Sequence, residues 1–160
     1  MQMRYRTWQI RDWQPDDRQA AADVIGTILA EYGLDWEPTG ADQDVLQVEQ
    51  AYQQRGGEFW VVEQAGQVVG TAAYYPIHRA PQAVEIRKMY LLPSVRGQGL
   101  GRFLLRQLEV AIAAAGYQEI WIETASVLQE AVQLYARSGY QPTTGVETAR
   151  CDRIYSKRLA

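Results

Sequence analysis

The stretch that most constrains the fold of this chain runs from residue 84 to residue 105. Residues 84–92 are mostly apolar, and Pro93 ends this run because proline has no N–H for a strand ladder. An apolar repeat at helical spacing begins at Leu100. Three glycines stand at the start of that repeat: Gly97, Gly99 and Gly101. The sequence therefore predicts a strand, a tight turn and a helix in direct succession.

Glycines at a helix start favour an anion as ligand. Without a Cβ they let backbone N–H groups approach a ligand closely, and the unpaired N–H groups of the first helical turn attract negative charge. A phosphate suits such a turn, and the alternative is a tight turn that holds nothing. A nucleoside-triphosphate loop is excluded because Arg102 stands where its second glycine belongs. A dinucleotide fingerprint stays open as an alternative, although Arg102 also replaces its third glycine.

The segment Arg96-x-x-Gly99-x-Gly101 resembles the signature of the GNAT superfamily of acetyl-CoA-dependent N-acetyltransferases. In that family the backbone amides of this segment hold the pyrophosphate of the cofactor. A second segment, Ala131-x-x-Leu134-Tyr135-x-x-x-Gly139-Tyr140, resembles the family's Ala-x-x-Leu-Tyr-x-x-x-Gly-Phe/Tyr. The resemblance covers about residues 84–140. It implies acetyl-CoA as cofactor and direct attack of a primary amine on the thioester in a ternary complex.

Composition limits the other functions that the chain can have. With 160 residues, a net charge of −3 and no basic stripe, it is not expected to bind nucleic acid. One cysteine, Cys151, and one histidine, His78, provide neither a disulfide nor a metal site. No apolar run reaches the length of a membrane span, and the first residues lack a signal peptide. A cytoplasmic protein without a membrane partner is therefore expected.

The order of predicted elements is β-α-α-β-β-β-α-β-α-β-β, which is similar to the GNAT order. It predicts an α/β fold with a mixed, mostly antiparallel central sheet flanked by helices, in a single N-acetyltransferase domain over residues 1–160. The first strand is expected from about Tyr5 to Trp13 and the second helix from about Asp44 to Arg55. Ala65-Gly66 predicts a hairpin, and the last strand is expected from about Arg150 to Leu159.

Tyr135 is the candidate general acid that the resemblance implies. The family tyrosine at this position is thought to protonate the sulfur of coenzyme A. A phenol with an ordinary pKa of about 10 is a suitable donor to a thiolate whose conjugate acid lies near 8.5. The alternative is a core tyrosine that packs its helix on the sheet.

Glu85 is the candidate general base, because it stands eleven residues before Arg96. The histone-acetylating branch of the family places its base at this spacing. A carboxylate with an ordinary pKa of about 4.3 needs burial or a water relay to accept a proton from an ammonium group. The alternative is a strand glutamate paired with Arg87, and Glu123 at the end of the next strand is the reserve candidate.

The resemblance also implies a set of cofactor-binding residues. Main-chain groups of Met89 and Leu91 are expected to pair with the pantetheine arm where two parallel strands separate. The phosphates are expected on the turn, whose members are Arg96, Gly97, Gln98, Gly99, Leu100 and Gly101. Leu128 stands where the family often has an asparagine, which removes one expected side-chain contact with the cofactor.

The acceptor is the least constrained part of the prediction. A small-molecule or amino-acid-like amine is expected, and a peptide or protein substrate and a non-catalytic acyl-CoA-binding sensor are the alternatives. Acceptor specificity is expected in the loops at about 33–43, 77–83 and 143–150. Asp35, Glu37, Asp42 and Asp44 form either an acidic rim for a cationic amine or a solvated loop. A homodimer stays open, with Tyr155 of the last strand as a candidate exposed aromatic.

Overall fold

The computed structural model describes all 160 residues, which form one eight-stranded sheet with helices on both faces. The strands are β1 (Gln2–Tyr5), β2 (Trp8–Asp12), β3 (Glu58–Gln64), β4 (Gln67–Ile77), β5 (Ala83–Leu91), β6 (Glu119–Thr124), β7 (Gln141–Pro142) and β8 (Arg153–Arg158). They lie side by side in the order β1-β2-β3-β4-β5-β6-β8-β7, and only β5 and β6 pair in parallel. The predicted mixed, mostly antiparallel sheet is confirmed.

Five helices complete the fold. They are α1 (Arg18–Glu31), α2 (Gln43–Leu46), α3 (Val48–Ala51), α4 (Leu100–Ala114) and α5 (Gln129–Arg137). None of them combines the length and the apolarity that crossing a lipid bilayer would require.

The two faces of the sheet carry separate apolar cores. Side chains alternate between the faces along a strand, so Trp60 and Val62 of β3 pack toward α4 and α5. Their neighbours Phe59 and Val61 pack toward α1, α2 and α3 on the opposite face. The sheet is thus buried on both sides at its centre.

The strands β5 and β6 separate beyond their fourth pair of residues. The parallel register runs from Ala83 opposite Glu119 to Ile86 opposite Ile122 and then stops. Beyond this point β5 continues along β4, whereas β6 continues along β8. A register shift against β4 occurs beside Lys88, which has a positive φ of 52°. This bulge accompanies the departure of β5 from β6 and leaves a gap between the two strands.

Two elements differ from the sequence prediction. The single first strand expected from Tyr5 to Trp13 is the hairpin β1–β2, because Arg6 adopts a positive φ of 54° and reverses the chain. The single second helix expected from Asp44 to Arg55 is broken at Gln47, whose φ and ψ are −135° and 45°. Local pattern did not reveal either break, because neither segment contains a glycine or a proline that would mark it.

The end of the chain also differs from the prediction. The last strand begins at Arg153, so Arg150 lies in the loop that precedes it. Tyr155 is only 5% exposed and packs in the core beneath α5, and it is therefore not the exposed aromatic expected for a dimer contact.

Candidate active site

A cavity of about 540 Å³ occupies the gap between β5 and β6. Its walls come from β5, the turn before α4, α5, the end of α1 and the loop between β7 and β8. Eight of the predicted site residues line it: Glu85, Met89, Leu91, Arg96, Gly97, Gly99, Gly101 and Tyr135. Gln98 and Leu100 do not, and the side chain of Leu100 is buried in the core.

The turn before α4 carries unpaired backbone donors. Gly97 and Gly99 have positive φ values of 73° and 85°, which glycine adopts without strain. The first bond of the helix runs from the N–H of Phe103 to the carbonyl oxygen of Gly99 at 3.0 Å. None of the six N–H groups from residue 97 to residue 102 donates a hydrogen bond to the protein. This row of free donors at a helix N-terminus fits a phosphate or pyrophosphate.

The N-terminal hairpin supports this turn from behind. The ring of Tyr5 stacks on Phe103 with their centroids 4.4 Å apart, and its hydroxyl lies 3.5 Å from the carbonyl oxygen of Gln98. A Cβ at Gly99 would lie 2.8 Å from the Tyr5 hydroxyl. Any other residue at position 99 would therefore clash with Tyr5 and also strain the backbone.

Arg96 is held by α1. Its guanidinium donates to both carboxylate oxygens of Glu31 at 2.7 and 2.8 Å, and its Nε donates to the carbonyl oxygen of Leu91 at 2.8 Å. Arg102 and Arg137 also line the cavity, and neither forms an ion pair. These two arginines are cations available to an anionic ligand, and no motif in the sequence marked them.

The main chain of Met89 and Leu91 faces the gap. The N–H of Leu92 bonds to Val69 of β4 at 2.9 Å. Backbone groups of successive strand residues point to alternate sides, so those of Leu91 point away from β4. The carbonyl oxygen of Leu91 already accepts Arg96, whereas its N–H group stays directed toward the gap.

Tyr135 lies in the middle of the cavity wall on α5. Its side chain is 4% exposed and packs among Tyr140 and Tyr155. Its hydroxyl takes part in no hydrogen bond, yet it is not among the fully enclosed polar atoms that lack a partner, so it is open to the cavity. Burial raises the pKa of Tyr135, and the nearby Tyr90 and Cys151 add to the rise. The phenol therefore keeps its proton at neutral pH.

Glu85 presents one free carboxylate oxygen to the same cavity. Its Oε2 accepts the Nη1 of Arg87 at 2.8 Å, whereas its Oε1 accepts no hydrogen bond and is not fully enclosed. The residue is 6% exposed. Burial raises the pKa of Glu85, and Arg87 opposes that rise. The predicted pairing with Arg87 exists, but it occurs inside the cavity wall and occupies only one of the two oxygens.

Glu123, the reserve candidate, has both oxygens occupied. Its Oε1 accepts the N–H groups of Glu147 and Thr148 at 3.1 and 2.9 Å. Its Oε2 accepts Arg79 at 2.9 Å. Glu123 therefore fastens the loop before β8 to the sheet and has no free oxygen for a substrate.

A buried ion network that the sequence did not predict lies next to Glu85. Asp42 is fully buried and accepts both Nη atoms of Arg150 at 2.6 Å, and Lys88 lies 3.0 Å from its Oδ1. Asp44 accepts the hydroxyl of Tyr52. The prediction of an acidic rim or a solvated loop is wrong for Asp42 and Asp44, because both carboxylates face inward and meet cations from β5 and the β7–β8 loop.

Replacing Asp42 with asparagine is expected to cost about 3–5 kcal/mol of unfolding free energy at pH 7, because Arg150 and Lys88 would stay buried without their counter-charge. Burial alone would raise the pKa of Asp42, but Arg150 and Lys88 outweigh it and lower that pKa to about 2. Because the pKa of Asp42 is lower in the folded than in the unfolded protein, the ionised carboxylate stabilises the fold at pH values above the unfolded pKa. Roughly 2 kcal/mol should therefore be lost as the pH falls from about 4 to about 2.

Urea unfolding at pH 7 and at low pH measures both effects of Asp42. Asp23→Asn on the exposed face of α1 is the matched control and should change the unfolding free energy by less than about 0.5 kcal/mol. Equal effects at the two positions would show that the Asp42 network does not stabilise the fold.

Cys151 and His78 do not provide a nucleophile. Cys151 lines the cavity, but burial raises the pKa of its thiol to about 11, so the thiol stays protonated at neutral pH. His78 is exposed in the loop after β4, as predicted. No cluster of three or more His, Cys, Asp or Glu side chains has the arrangement of a metal site.

The turn with its free N–H groups shares one cavity with Tyr135 and Glu85, in an α/β protein whose strands β5 and β6 separate at this point. The sequence profile of the acetyltransferase (GNAT) family matches residues 8–140, and the chain belongs to that family. The resemblance predicted from the two motifs is confirmed.

Similar proteins agree with this assignment. The chain is 37% identical over 128 residues to YjgM of Escherichia coli (strain K12), an uncharacterised N-acetyltransferase, with 78% of this chain and 77% of that protein covered. The fold matches a GNAT-family acetyltransferase from Staphylococcus aureus Mu50 with a TM-score of 0.88 at 17% identity, over 96% and 99% of the two chains. It also matches yncA from Salmonella typhimurium, solved with its cofactor acetyl-CoA, with a TM-score of 0.76 at 22% identity over 96% and 95%.

Proposed function

We propose that this protein is an acetyl-CoA-dependent N-acetyltransferase whose acceptor is the primary amine of a small or amino-acid-like molecule. The observation that carries the proposal is the row of free N–H groups from residue 97 to residue 102, four of whose six residues line the same cavity as Tyr135 and Glu85. Membership of the GNAT family and the acetyl-CoA in the related yncA structure support this choice of cofactor.

The turn and β5 hold the cofactor in this proposal. When bound, acetyl-CoA supplies the thioester from which the acetyl group is transferred. The free N–H groups of the turn bind its pyrophosphate, and the main-chain groups of Met89 and Leu91 that face the gap bind its pantetheine arm. Arg102 and Arg137 add positive charge beside the phosphates.

Tyr135 and Glu85 perform the proton transfers. Tyr135 keeps its proton at neutral pH and donates it to the departing thiolate. Glu85 accepts the proton of the acceptor amine at Oε1, directly or through one water. Its raised pKa makes it a stronger base than a solvated glutamate.

The amine attacks the thioester directly, without a covalent enzyme intermediate. Cys151 is the only thiol, and it stays protonated because burial raises its pKa to about 11. Since the cavity wall offers no activated nucleophile, both substrates must be present together for the acetyl group to move.

Glu85→Gln is expected to lower kcat/KM by roughly 10²-fold and to remove the acidic limb of its pH profile. The wild-type rate should fall as the pH drops through the raised pKa of Glu85, because only the ionised carboxylate accepts a proton. Glu119→Gln, on β6 and outside the cavity, is the control and should retain the limb. If Glu85→Gln kept both the rate and the limb, another group would be the base.

The direct test is calorimetric titration with acetyl-CoA and with its desulfo- and dephospho-analogues. A thiol-release screen against amines and peptides follows. Binding with thiol release in the presence of an amine supports the proposal and identifies the acceptor class. Absence of binding would refute it, and binding without release from any acceptor would favour an acyl-CoA sensor.

A further inference from the structure

The loops that are expected to bind the acceptor are linked to the sheet and to one another by hydrogen bonds. The loop at residues 143–152 is anchored to β6 through Glu123, which accepts two of its backbone N–H groups. Arg79, from the loop after β4, bonds to the same carboxylate at 2.9 Å. Asp152 accepts the N–H and the hydroxyl of Ser126 at 2.6 and 2.7 Å. The loop before β8 is therefore held at several points by contacts within the protein.

One ion pair joins this loop to the opposite side of the cavity. Both Nη atoms of Arg150 lie 2.6 Å from the two carboxylate oxygens of Asp42, and its Nη1 also bonds to the carbonyl oxygen of Asp35 at 3.1 Å. The Arg150 side chain is 12% exposed and that of Asp42 is fully buried. Lys88 holds Asp42 from the side of β5. The pair is thus a bridge between the loop after α1 and the loop before β8.

One end of this bridge shares the cavity with the two groups that the proposed reaction needs. Arg150 and its neighbour Cys151 line the same cavity as Glu85 and Tyr135. Those two residues are only 6% and 4% exposed. A polypeptide acceptor needs a surface groove for the chain on both sides of its reactive residue. Because the Arg150 and Asp42 side chains are only 2.6 Å apart, no peptide chain can pass between the loop after α1 and the loop before β8 at this point.

We infer that Arg150 is a specificity-determining residue, whose bridge to Asp42 excludes polypeptides and restricts the acceptor to small free amines. The inference rests on the proposed function, because it names the acceptor class of the same site. It rejects the alternative of a peptide or protein N-acetyltransferase that the sequence left open. The selection is steric, since the bridge blocks the chain around the amine and does not recognise the amine itself.

Matched acceptors test the selection. One pair is lysine with both α-groups blocked, compared with a nonapeptide that carries the same lysine at its centre. The other pair is alanine amide, compared with an octapeptide that begins with alanine. For each pair the wild-type kcat/KM of the small acceptor should exceed that of the peptide by roughly 10²-fold. Equal use of peptide and small amine by the wild-type protein would overturn the inference.

Arg150→Ala should lower that ratio by about tenfold or more, through faster acetylation of the peptides. Asp42 keeps Lys88 as its partner, so the variant should fold, which thermal unfolding can verify. Arg153→Ala is the matched control, because Arg153 is exposed and donates only to the neighbouring carbonyl group of Asp152. An unchanged ratio in folded Arg150→Ala protein would also overturn the inference.

A second readout is independent of activity. Cys151 is the only cysteine and adjoins Arg150, so thiol-labelling rates report on the bridge. Iodoacetamide is compared with a maleimide that carries a polyethylene glycol chain. Removing Arg150 also changes the pKa of the Cys151 thiol, but this affects the rates of both reagents equally. The ratio of the two rates therefore reports steric access alone. Arg150→Ala should raise the bulky-to-small ratio by about tenfold, and the Arg153 control should not.

The two readouts separate the inference from the proposed function. If acetyl-CoA bound but no acceptor released thiol, the proposed function would fail, and the labelling ratio would still decide whether Arg150 closes the cavity. If labelling by the bulky reagent were equally fast in wild-type and Arg150→Ala protein, the bridge would not restrict access, whatever the acceptor.

Discussion

Tyr135→Phe is expected to lower kcat by roughly 10²–10⁴-fold while the affinity for acetyl-CoA stays unchanged, because only the proton donor is removed. The phenol ring packs among Tyr140 and Tyr155, and phenylalanine keeps that packing. The lost hydroxyl makes no hydrogen bond within the protein, so its removal leaves no buried partner unpaired. Steady-state thiol release and calorimetric titration of the same preparation measure the two quantities.

Tyr117→Phe is the matched control for this variant. Tyr117 donates its hydroxyl to the carbonyl oxygen of Gly56 at 3.2 Å and does not line the cavity. Its substitution should leave turnover unchanged. Burial keeps Tyr135 protonated across the usual assay range, so its loss should lower kcat by the same factor at every pH tested. Full turnover by Tyr135→Phe would remove this residue from the mechanism.

Replacing both Gly99 and Gly101 with valine is expected to weaken acetyl-CoA binding by about 10²-fold or more, which corresponds to the loss of one or two charge-assisted hydrogen bonds. At Gly99 a Cβ would lie 2.8 Å from the Tyr5 hydroxyl in a backbone conformation with φ of 85°. At Gly101 a Cβ would already contact Leu134 and Leu91 at 3.6 and 3.7 Å, so the larger valine side chain would crowd both. The N–H groups of the turn would then be displaced from the positions in which they are proposed to bind the pyrophosphate.

Gly116→Val separates this effect from general backbone strain. Gly116 follows α4 with a φ of 94°, and a Cβ at this position would have open space around it for 4 Å. The control should therefore lose stability without losing cofactor affinity. Thermal unfolding and calorimetric titration distinguish the two outcomes. Unchanged affinity in a folded Gly99→Val/Gly101→Val protein would show that the turn does not hold the cofactor.

The parts of the site that sequence reasoning predicted are those built from contiguous residues. The unpaired N–H groups of the turn depend on Gly97 and Gly99 and on the helix that begins directly after them. The motif therefore contains all the residues that form this turn. The hairpin at Ala65 and Gly66 is equally local, since both residues have the positive φ values of 51° and 79° that such a turn needs. Tyr135 was identified as a candidate general acid because it belongs to a motif of ten consecutive residues.

The tertiary structure decided the points that depend on partners distant in the sequence. Glu85 and Glu123 are both strand glutamates, and only the hydrogen bonds from Arg79 and the 143–152 loop show that Glu123 is fully occupied. Asp42 and Arg150 are 108 residues apart, so no local pattern links the carboxylate to its cation. Periodicity reports which face of an element is buried, but the pairing of buried charges depends on how loops meet in space. The sequence therefore determined the fold class and the glycine turn with its unpaired N–H groups, whereas folding alone determined that Arg150 pairs with Asp42.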